Sequence, residues 1–254
     1  MTLDPRKRFS NRVDDYIKYR PSYPPEVIHL LQDTCGLSGA SVVADIGSGT
    51  GILTKLLLDA AQAVYGVEPN PEMRTAAEVM LENVSNFISI AGTAENTQLD
   101  DESIDIITSA QAFHWFRLQE TAAEFRRILK PGGWIALIWN ERLKEASEFQ
   151  KTYERLLIKY APDYNAKNHK GVGDGELRDF FRPGSFRTKV FSYQQTFDFP
   201  GLKGRLLSAS YTPKAGEPNH DSLFQALEVA YKENEKDGCI TIDYATNVYL
   251  GQFG

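Results

Sequence analysis

Asp45, Gly47, Gly49 and Gly51 occupy every second position of the run Val42-Val43-Ala44-Asp45-Ile46-Gly47-Ser48-Gly49-Thr50-Gly51. Glycines spaced in this way remove the Cβ atoms where a ligand has to approach the backbone closely. The apolar residues from Ile52 to Leu58 recur at three and four, so a helix starts there and aims free N–H groups and a positive dipole end at the same spot. This is the chemistry of holding a nucleotide-sized cofactor. What is missing narrows the ligand. A dinucleotide fingerprint, G-x-G-x-x-G, needs a glycine at position 52, where the chain has Ile52, and the third glycine is the one that lets a helix pack close over a pyrophosphate. No Gly-Lys-Ser/Thr follows, as a phosphate-cradling P-loop requires. An acid ahead of the turn, Asp45, suits a ligand carrying an ammonium group and disfavours phosphates.

A second apolar run, Ala63 to Val67, ends in Glu68-Pro69 one helix-plus-strand unit later. A carboxylate at such a strand tip can accept both hydroxyls of a ribose. Downstream stand Ile88-Ser89-Ile90-Ala91-Gly92-Thr93-Ala94-Glu95, Leu99-Asp100-Asp101-Glu102-Ser103-Ile104-Asp105-Ile106-Ile107-Thr108-Ser109, Gln111-Ala112-Phe113-His114-Trp115-Phe116 and Leu129-Lys130-Pro131-Gly132-Gly133-Trp134. In order and spacing these segments resemble the class I S-adenosylmethionine (SAM)-dependent methyltransferases over about a hundred residues. The likeness is to the small-molecule, type 11 branch. Tyr16-x-x-Tyr19-Arg20-Pro21-x-Tyr23-Pro24 resembles the N-terminal segment of relatives of trans-aconitate methyltransferase.

The resemblance implies SAM as cofactor and S-adenosylhomocysteine as product. It assigns Asp45, Gly47, Ser48, Gly49 and Gly51 to the methionine and sugar side, and Glu68 with Pro69 to the ribose. Thr93, Ala94 and Glu95 would frame the adenine, with Thr93 where the family commonly has Asp. Gln111 completes the cofactor set at the end of the fourth strand. Tyr16 and Arg20 would close over the methionine end, Arg20 pairing with its carboxylate; the same residues also fit an amphipathic helix broken by Pro21 and Pro24. Phe113, Trp115, Trp139 and Tyr211 would line the acceptor pocket. Methyl transfer needs chiefly alignment and exclusion of water, so no nucleophile signature is expected. A hydroxyl or phenol acceptor calls for a base, and His114 is placed to act as one or simply to pack beside the adenine. A carboxylate acceptor and an apolar quinone- or lipid-precursor acceptor both stay open. The rival readings are an NAD(P)-dependent oxidoreductase, disfavoured by Ile52 and by the lack of a Tyr-x-x-x-Lys pair, and a non-catalytic SAM-binding protein. Asn140-Glu141-Arg142 is not the Asn-Pro-Pro-Tyr motif of amide- and adenine-amine methylating enzymes, which speaks against DNA or glutamine as substrate.

Elements that could position these residues follow from periodicity. Strands are expected at 41–46, 63–68, 87–91, 104–109 and 134–140, with helices at 51–60, 71–81 and 118–129. This alternation implies an α/β fold with a doubly wound, Rossmann-like sheet, mostly parallel, whose ligands bind at the carboxyl ends of the strands. A charged amphipathic helix is expected over 141–160. Segments 186–198 and 239–250 read as final strands, the last one antiparallel. One methyltransferase domain is expected over 1–254, with a core at about 38–198 and 237–254, an N-terminal cap at 1–37 and a helical lid insertion at about 200–236.

Composition bounds the rest. The chain has 254 residues, 42% of them apolar, enough for a full core. No run of eighteen apolar residues predicts a membrane span, and Met1 to Arg8 is not followed by a signal-peptide apolar region. A net charge of −6 argues against a nucleic-acid partner. Cys35 and Cys239 lack metal-ligand spacing, so no metal is expected and a reducing cytoplasm fits. A monomer or homodimer acting on a small-molecule acceptor is the expectation.

Overall fold

The structure is a computed structural model that describes residues 17–166 and 173–254. Tyr16 lies outside the described residues. The elements in chain order are α1 (Glu26–Cys35), β1 (Val42–Ile46), α2 (Ile52–Leu58), β2 (Ala63–Val67), α3 (Pro71–Met80), β3 (Phe87–Ile90), β4 (Ile104–Ala110), α4 (Leu118–Ile128), β5 (Leu129–Arg142), α5 (Glu148–Tyr160), α6 (Pro162–Ala166), α7 (Asp174–Phe181), β6 (Ser185–Phe197), α8 (Phe199–Leu207), α9 (His220–Asn234) and β7 (Ile240–Gln252). One seven-stranded sheet runs in the order β3-β2-β1-β4-β5-β7-β6. The first five strands pair in parallel, and β7 runs antiparallel to both β5 and β6. Strand order reverses beside β1, which puts the turn after β1 at the switch point where open α/β sheets bind ligands.

Alternate strand residues supply two cores. Val43, Ile106, Ala136 and Ile138 face α1 and α2, and Ala44, Ile107, Ile135 and Leu137 face α4 and α7. This period of two with apolar residues on both faces is what a covered parallel sheet requires. A third cluster is separate. Phe149, Tyr153 and Leu157 of α5 pack with Leu202 and Leu206 of α8, Leu223 and Leu227 of α9, and Ile240, Ile242 and Tyr244 of β7.

The long β6–β7 pair explains where that third cluster sits. Arg142, the last residue of β5, pairs with Tyr244, whereas β6 and β7 stay paired out to Phe197 and Ile240. The two strands therefore project past the carboxyl edge of the parallel strands and carry α8 and α9 with them.

Three expectations change. The charged segment 141–160 is not one helix: β5 continues through Arg142, and α5 begins only after Ser147, whose hydroxyl accepts the Gln150 N–H at 3.1 Å. Side-chain capping at Ser147 defines the start more strongly than the charge pattern before it. Lys130-Pro131-Gly132-Gly133 lies inside β5 rather than ahead of it, with Gly132 at φ +78° and a register shift against β4. α7 is absent from the sequence expectation. It buries Leu177, Phe180 and Phe181 on the second core, too short a run for its periodicity to stand out.

Candidate functional site

Of the three turn glycines, all have positive φ, at +70°, +58° and +83°, but each answers a different demand. A Cβ on Gly47 would fall 2.5 Å from Ala112 Cβ, and one on Gly51 would meet Ala77 and Leu81 at 3.4 Å. Those two glycines make room for the chain's own packing. Only Gly49 of the three faces open space, with Met73 Cε at 3.9 Å as the nearest neighbour of a built Cβ. Gly49 is thus the least crowded of the three, with half-buried Ser48 beside it.

The turn uses its amides internally. Gly47 N–H and Ser48 N–H donate to Val67 O at 2.8 and 3.2 Å, and Gly51 N–H donates to Ser48 O at 2.9 Å. Gly49 N–H donates to Glu68 Oε2 at 2.9 Å. A pyrophosphate needs such amides free and no carboxylate among them, so the turn is not a phosphate cradle.

Asp45 stands near the carboxyl end of β1, as expected, and is 1% exposed. Its Oδ2 accepts the Thr54 hydroxyl at 2.7 Å and its Oδ1 the Thr108 hydroxyl at 3.0 Å. Burial pushes its carboxyl up to about 6, against the opposing hydrogen bonds from Thr54 and Thr108. Asp45 ties β1 to α2 and β4, and the positive end of α2 already meets this carboxylate. Glu68, 8% exposed, accepts Gly49 N–H and, on Oε1, Asn70 N–H at 2.8 Å. Burial pushes its carboxyl up as well. Each oxygen retains a lone pair for a further donor. Pro69 follows, half-buried, and Asn70 caps α3 by accepting Met73 N–H at 2.9 Å.

The 93–97 turn is closed by Thr93 and Asn96, whose N–H groups donate to each other's carbonyls at 3.0 and 3.2 Å. Thr93 is half-buried, Ala94 packs into the core and Glu95 accepts Arg117 N–H at 2.9 Å. Glu124 of α4 anchors the turn from behind: its Oε1 accepts both the N–H and the hydroxyl of Thr97, at 2.8 and 2.6 Å.

Beside the glycine turn opens a cavity of about 260 Å³. Ile52, Gln111, His114 and Trp115 border it on the turn side, Trp139 to Arg142, Tyr244 and Tyr249 along the sheet edge, and Arg205, Ser210 and Tyr211 from the projecting segment. Gln111, at φ +58°, donates from Nε2 to Asn140 O at 2.9 Å. His114 lies in the short turn Phe113–Trp115 with its ring 4.8 Å from that of Trp115. Trp115, Trp139 and Tyr211 line the cavity as expected, but Phe113 does not. It is 0% exposed, packed edge-on against Phe180 at 4.7 Å and Trp139 at 6.2 Å, because its place in the turn directs it under the sheet. Arg20 lines the cavity, and its Nη2 donates to Ser208 O at 2.8 Å, so at least one of its donors is engaged by the projecting segment.

Sequence reasoning missed Arg142, Lys144, Tyr164, Arg205 and Tyr244 in this cavity. They come from four distant stretches brought together by β5–β7 pairing, and no local spacing marks them. Among the described residues no group of three or more His, Cys, Asp or Glu is placed to hold a metal ion, and no helix is long and apolar enough to cross a membrane.

A seven-stranded sheet of this order with a glycine turn and an acid at the first two strand tips defines a Rossmann-like methyltransferase fold. Residues 44–137 match the family described as a methyltransferase domain. The chain is 32% identical over 253 residues to a Dictyostelium discoideum protein described as a methyltransferase, covering 96% of this chain and 93% of that one. It is 40% identical over 134 residues to an uncharacterized methyltransferase of Mycobacterium tuberculosis, 53% of this chain and 52% of the other; the match thus spans about half the length of the mycobacterial relative. A solved structure described as a type II methyltransferase from Anaeromyxobacter dehalogenans shares the fold, with a TM-score of 0.69 at 22% identity over 92% of this chain and 98% of that one. The chain belongs to the class I SAM-dependent methyltransferase family.

Proposed function

We propose that the protein transfers the methyl group of SAM to a small-molecule acceptor and releases S-adenosylhomocysteine. The observation that carries this reading is the cavity that begins at Ile52, next to Gly51, and is walled on its far side by Arg205, Ser210 and Tyr211. Its volume, about 260 Å³, lies just below the range of drug-sized ligand sites, which begins at about 300 Å³, and suits a small acceptor. An acceptor held there lies beside the turn assigned to the cofactor. We read the whole as one methyltransferase unit, with residues 200–236 as lid and the N-terminal segment as cap, in a cytoplasmic setting that fits the free thiols of Cys35 and Cys239.

SAM, when bound, supplies a methyl group already activated by its sulfonium. The chain's own residues then bind, orient and exclude water. Glu68 takes the ribose hydroxyls on the lone pairs left by Gly49 and Asn70 N–H. Thr93 and the backbone of Ala94 and Glu95 border the adenine, while Gly47 and Gly51 hold the turn in the shape that exposes Gly49. Gln111, fixed by Asn140 O, and Arg20 border the methionine end. Trp115, Trp139 and Tyr211 keep water from the acceptor. Where the acceptor is a hydroxyl or phenol, an imidazole nitrogen of His114 takes its proton.

A thermal-shift series with SAM, S-adenosylhomocysteine and NADH tests the cofactor. Native-state binding raises the melting temperature with ligand excess over Kd. The two adenosyl ligands are expected to stabilise the protein and NADH is not. A shift with NADH alone overturns the reading.

A further inference from the structure

Although the chain carries a net charge of −6, the described cavity lining includes four basic side chains, Arg20, Arg142, Lys144 and Arg205, and one carboxylate, Glu141. Arg205 is the most telling of them. It sits on α8, 8% exposed. Its Nε donates to Tyr244 Oη at 3.2 Å and its Nη1 to Ser208 Oγ at 3.4 Å. Among the described residues no carboxylate forms an ion pair with it, and no protein acceptor meets its Nη2. A guanidinium buried without a counter-ion costs several kcal/mol, and buried charges are as a rule paired, so an anion brought in by a ligand would supply the missing partner. Arg142 repeats the pattern in part. Its Nη2 is engaged by Glu154 and Tyr164, while its Nη1 is buried with no acceptor. Its guanidinium lies 4.9 Å from the centre of the Tyr153 ring.

We infer that the acceptor is an organic acid whose carboxylate is bound by Arg205 and the open Nη1 of Arg142, with its body against Trp115, Tyr164 and Tyr211. This rests on the methyl-transfer reading above and names the acceptor class for that same site. Two unfilled donor groups match the two oxygens of one carboxylate. A phosphate dianion would bring three oxygens and a second charge, and Glu154 already offsets part of the charge of Arg142 and Lys144. Guanidinium bonding draws on the lone pairs with which an oxygen would attack a methyl group. The anchored carboxylate is therefore the handle, and the methyl goes to another nucleophilic atom of the same molecule.

Calorimetric titration of the S-adenosylhomocysteine-saturated protein tests this with acetate, benzoate, cinnamate and succinate, each beside its primary amide. At least one carboxylate is expected to bind about tenfold more tightly than its amide, as a charge-assisted contact implies. Arg205→Gln should bring the pair within about twofold of each other while leaving S-adenosylhomocysteine affinity in place. If no wild-type pair shows a carboxylate preference, the inference is overturned. It is equally overturned if folded Arg205→Gln loses S-adenosylhomocysteine and keeps the preference, since Arg205 then serves the cofactor's own carboxylate. Circular dichroism reports whether that variant folds, and Arg142→Gln carries the same comparison if it does not. Wild-type protein that binds no S-adenosylhomocysteine sinks the cofactor reading, a failure separate from a missing carboxylate preference.

Discussion

Glu68 Oε2 accepts the backbone N–H of Gly49 at 2.9 Å, which joins the acid at the tip of β2 to the glycine turn at the tip of β1. The same carboxylate holds Asn70 N–H on its other oxygen. One side chain thus shapes the turn, starts α3 and keeps two lone pairs for a ligand. Sites built in this way are fixed before the ligand arrives, which lowers the cost of ordering them on binding.

Glu68→Gln tests that clamp. The amide nitrogen of Gln must face one of two N–H donors, so one buried donor loses its partner, at a cost of about 1–3 kcal/mol. Urea unfolding is expected to show that loss, and calorimetry a fall in S-adenosylhomocysteine affinity on the order of tenfold, since each 1.4 kcal/mol is one decade. A variant that melts and binds like the wild type would contradict the clamp.

Asp45 gives a pH signature. Burial holds its folded-state pKa at about 6, above the ordinary aspartate value of 3.8, so the folded protein takes up a proton first as pH falls. The stability tied to this group is complete below the lower value and is lost as pH rises through the upper one. Asp45→Asn removes the titration. Relative to wild type, the variant should gain stability on the order of 1 kcal/mol above pH 7 and lose that advantage toward pH 4. Melting temperatures of both proteins across that range check the sign; a variant less stable at high pH than at low pH, relative to wild type, would refute it.

The parallel half of the fold was legible because its signals are local. Buried strands such as Val43 to Ile46 and Ile104 to Ser109 read as short apolar runs, and the turn between β1 and α2 is written in adjacent residues. Ligand-facing and packing glycines look alike in sequence, however. Gly47 and Gly51 differ from Gly49 only through Ala112, Ala77 and Leu81, which are distant in the chain. Phe113 and Trp115 are two residues apart and were read alike, but the turn buries one and presents the other. Arg142 and Arg205 meet through β5–β7 pairing and the projecting β6–β7 pair, a long-range geometry that no periodicity encodes. The glycine turn and the strand-tip acids of the candidate site were therefore readable, and the cavity residues that long-range pairing brings together were nearly silent.

The glycines can be separated by experiment. Gly47→Ala places a methyl 2.5 Å from Ala112 Cβ at a left-handed φ, so strain and overpacking add, and a loss of about 2–4 kcal/mol is expected. Gly49→Ala makes only an ordinary contact with Met73 Cε at 3.9 Å and costs the left-handed conformation, about 1 kcal/mol. Its methyl stands where the ligand is proposed to lie. Denaturant midpoints should fall much further for the first variant, while S-adenosylhomocysteine affinity should fall in the second without matching loss of stability. Equal effects of the two on stability would show that Gly49 is as crowded as Gly47.

Tyr19 and Gly204 couple the N-terminal segment to α8. A Cβ on Gly204 would lie 2.0 Å from the Tyr19 ring, so the ring rests directly on the α8 backbone. Around it, Arg20 Nη2 donates to Ser208 O at 2.8 Å, Asn140 Nδ2 donates to Ser22 O at 2.8 Å and Gln195 Nε2 donates to Tyr19 O at 3.4 Å. The contact predicts a change of sign in a double-mutant cycle. In the wild-type background Gly204→Ala must displace the ring and is expected to destabilise by about 1–3 kcal/mol. In the Tyr19→Ala background the ring is gone, and the same substitution gains helix propensity inside α8, up to about 1 kcal/mol. Additive effects would show that the ring does not rest on Gly204 in solution. A reversed sign, together with faster tryptic cleavage after Lys18 in the Gly204→Ala single variant, would establish that this segment and α8 are held together beside the cavity.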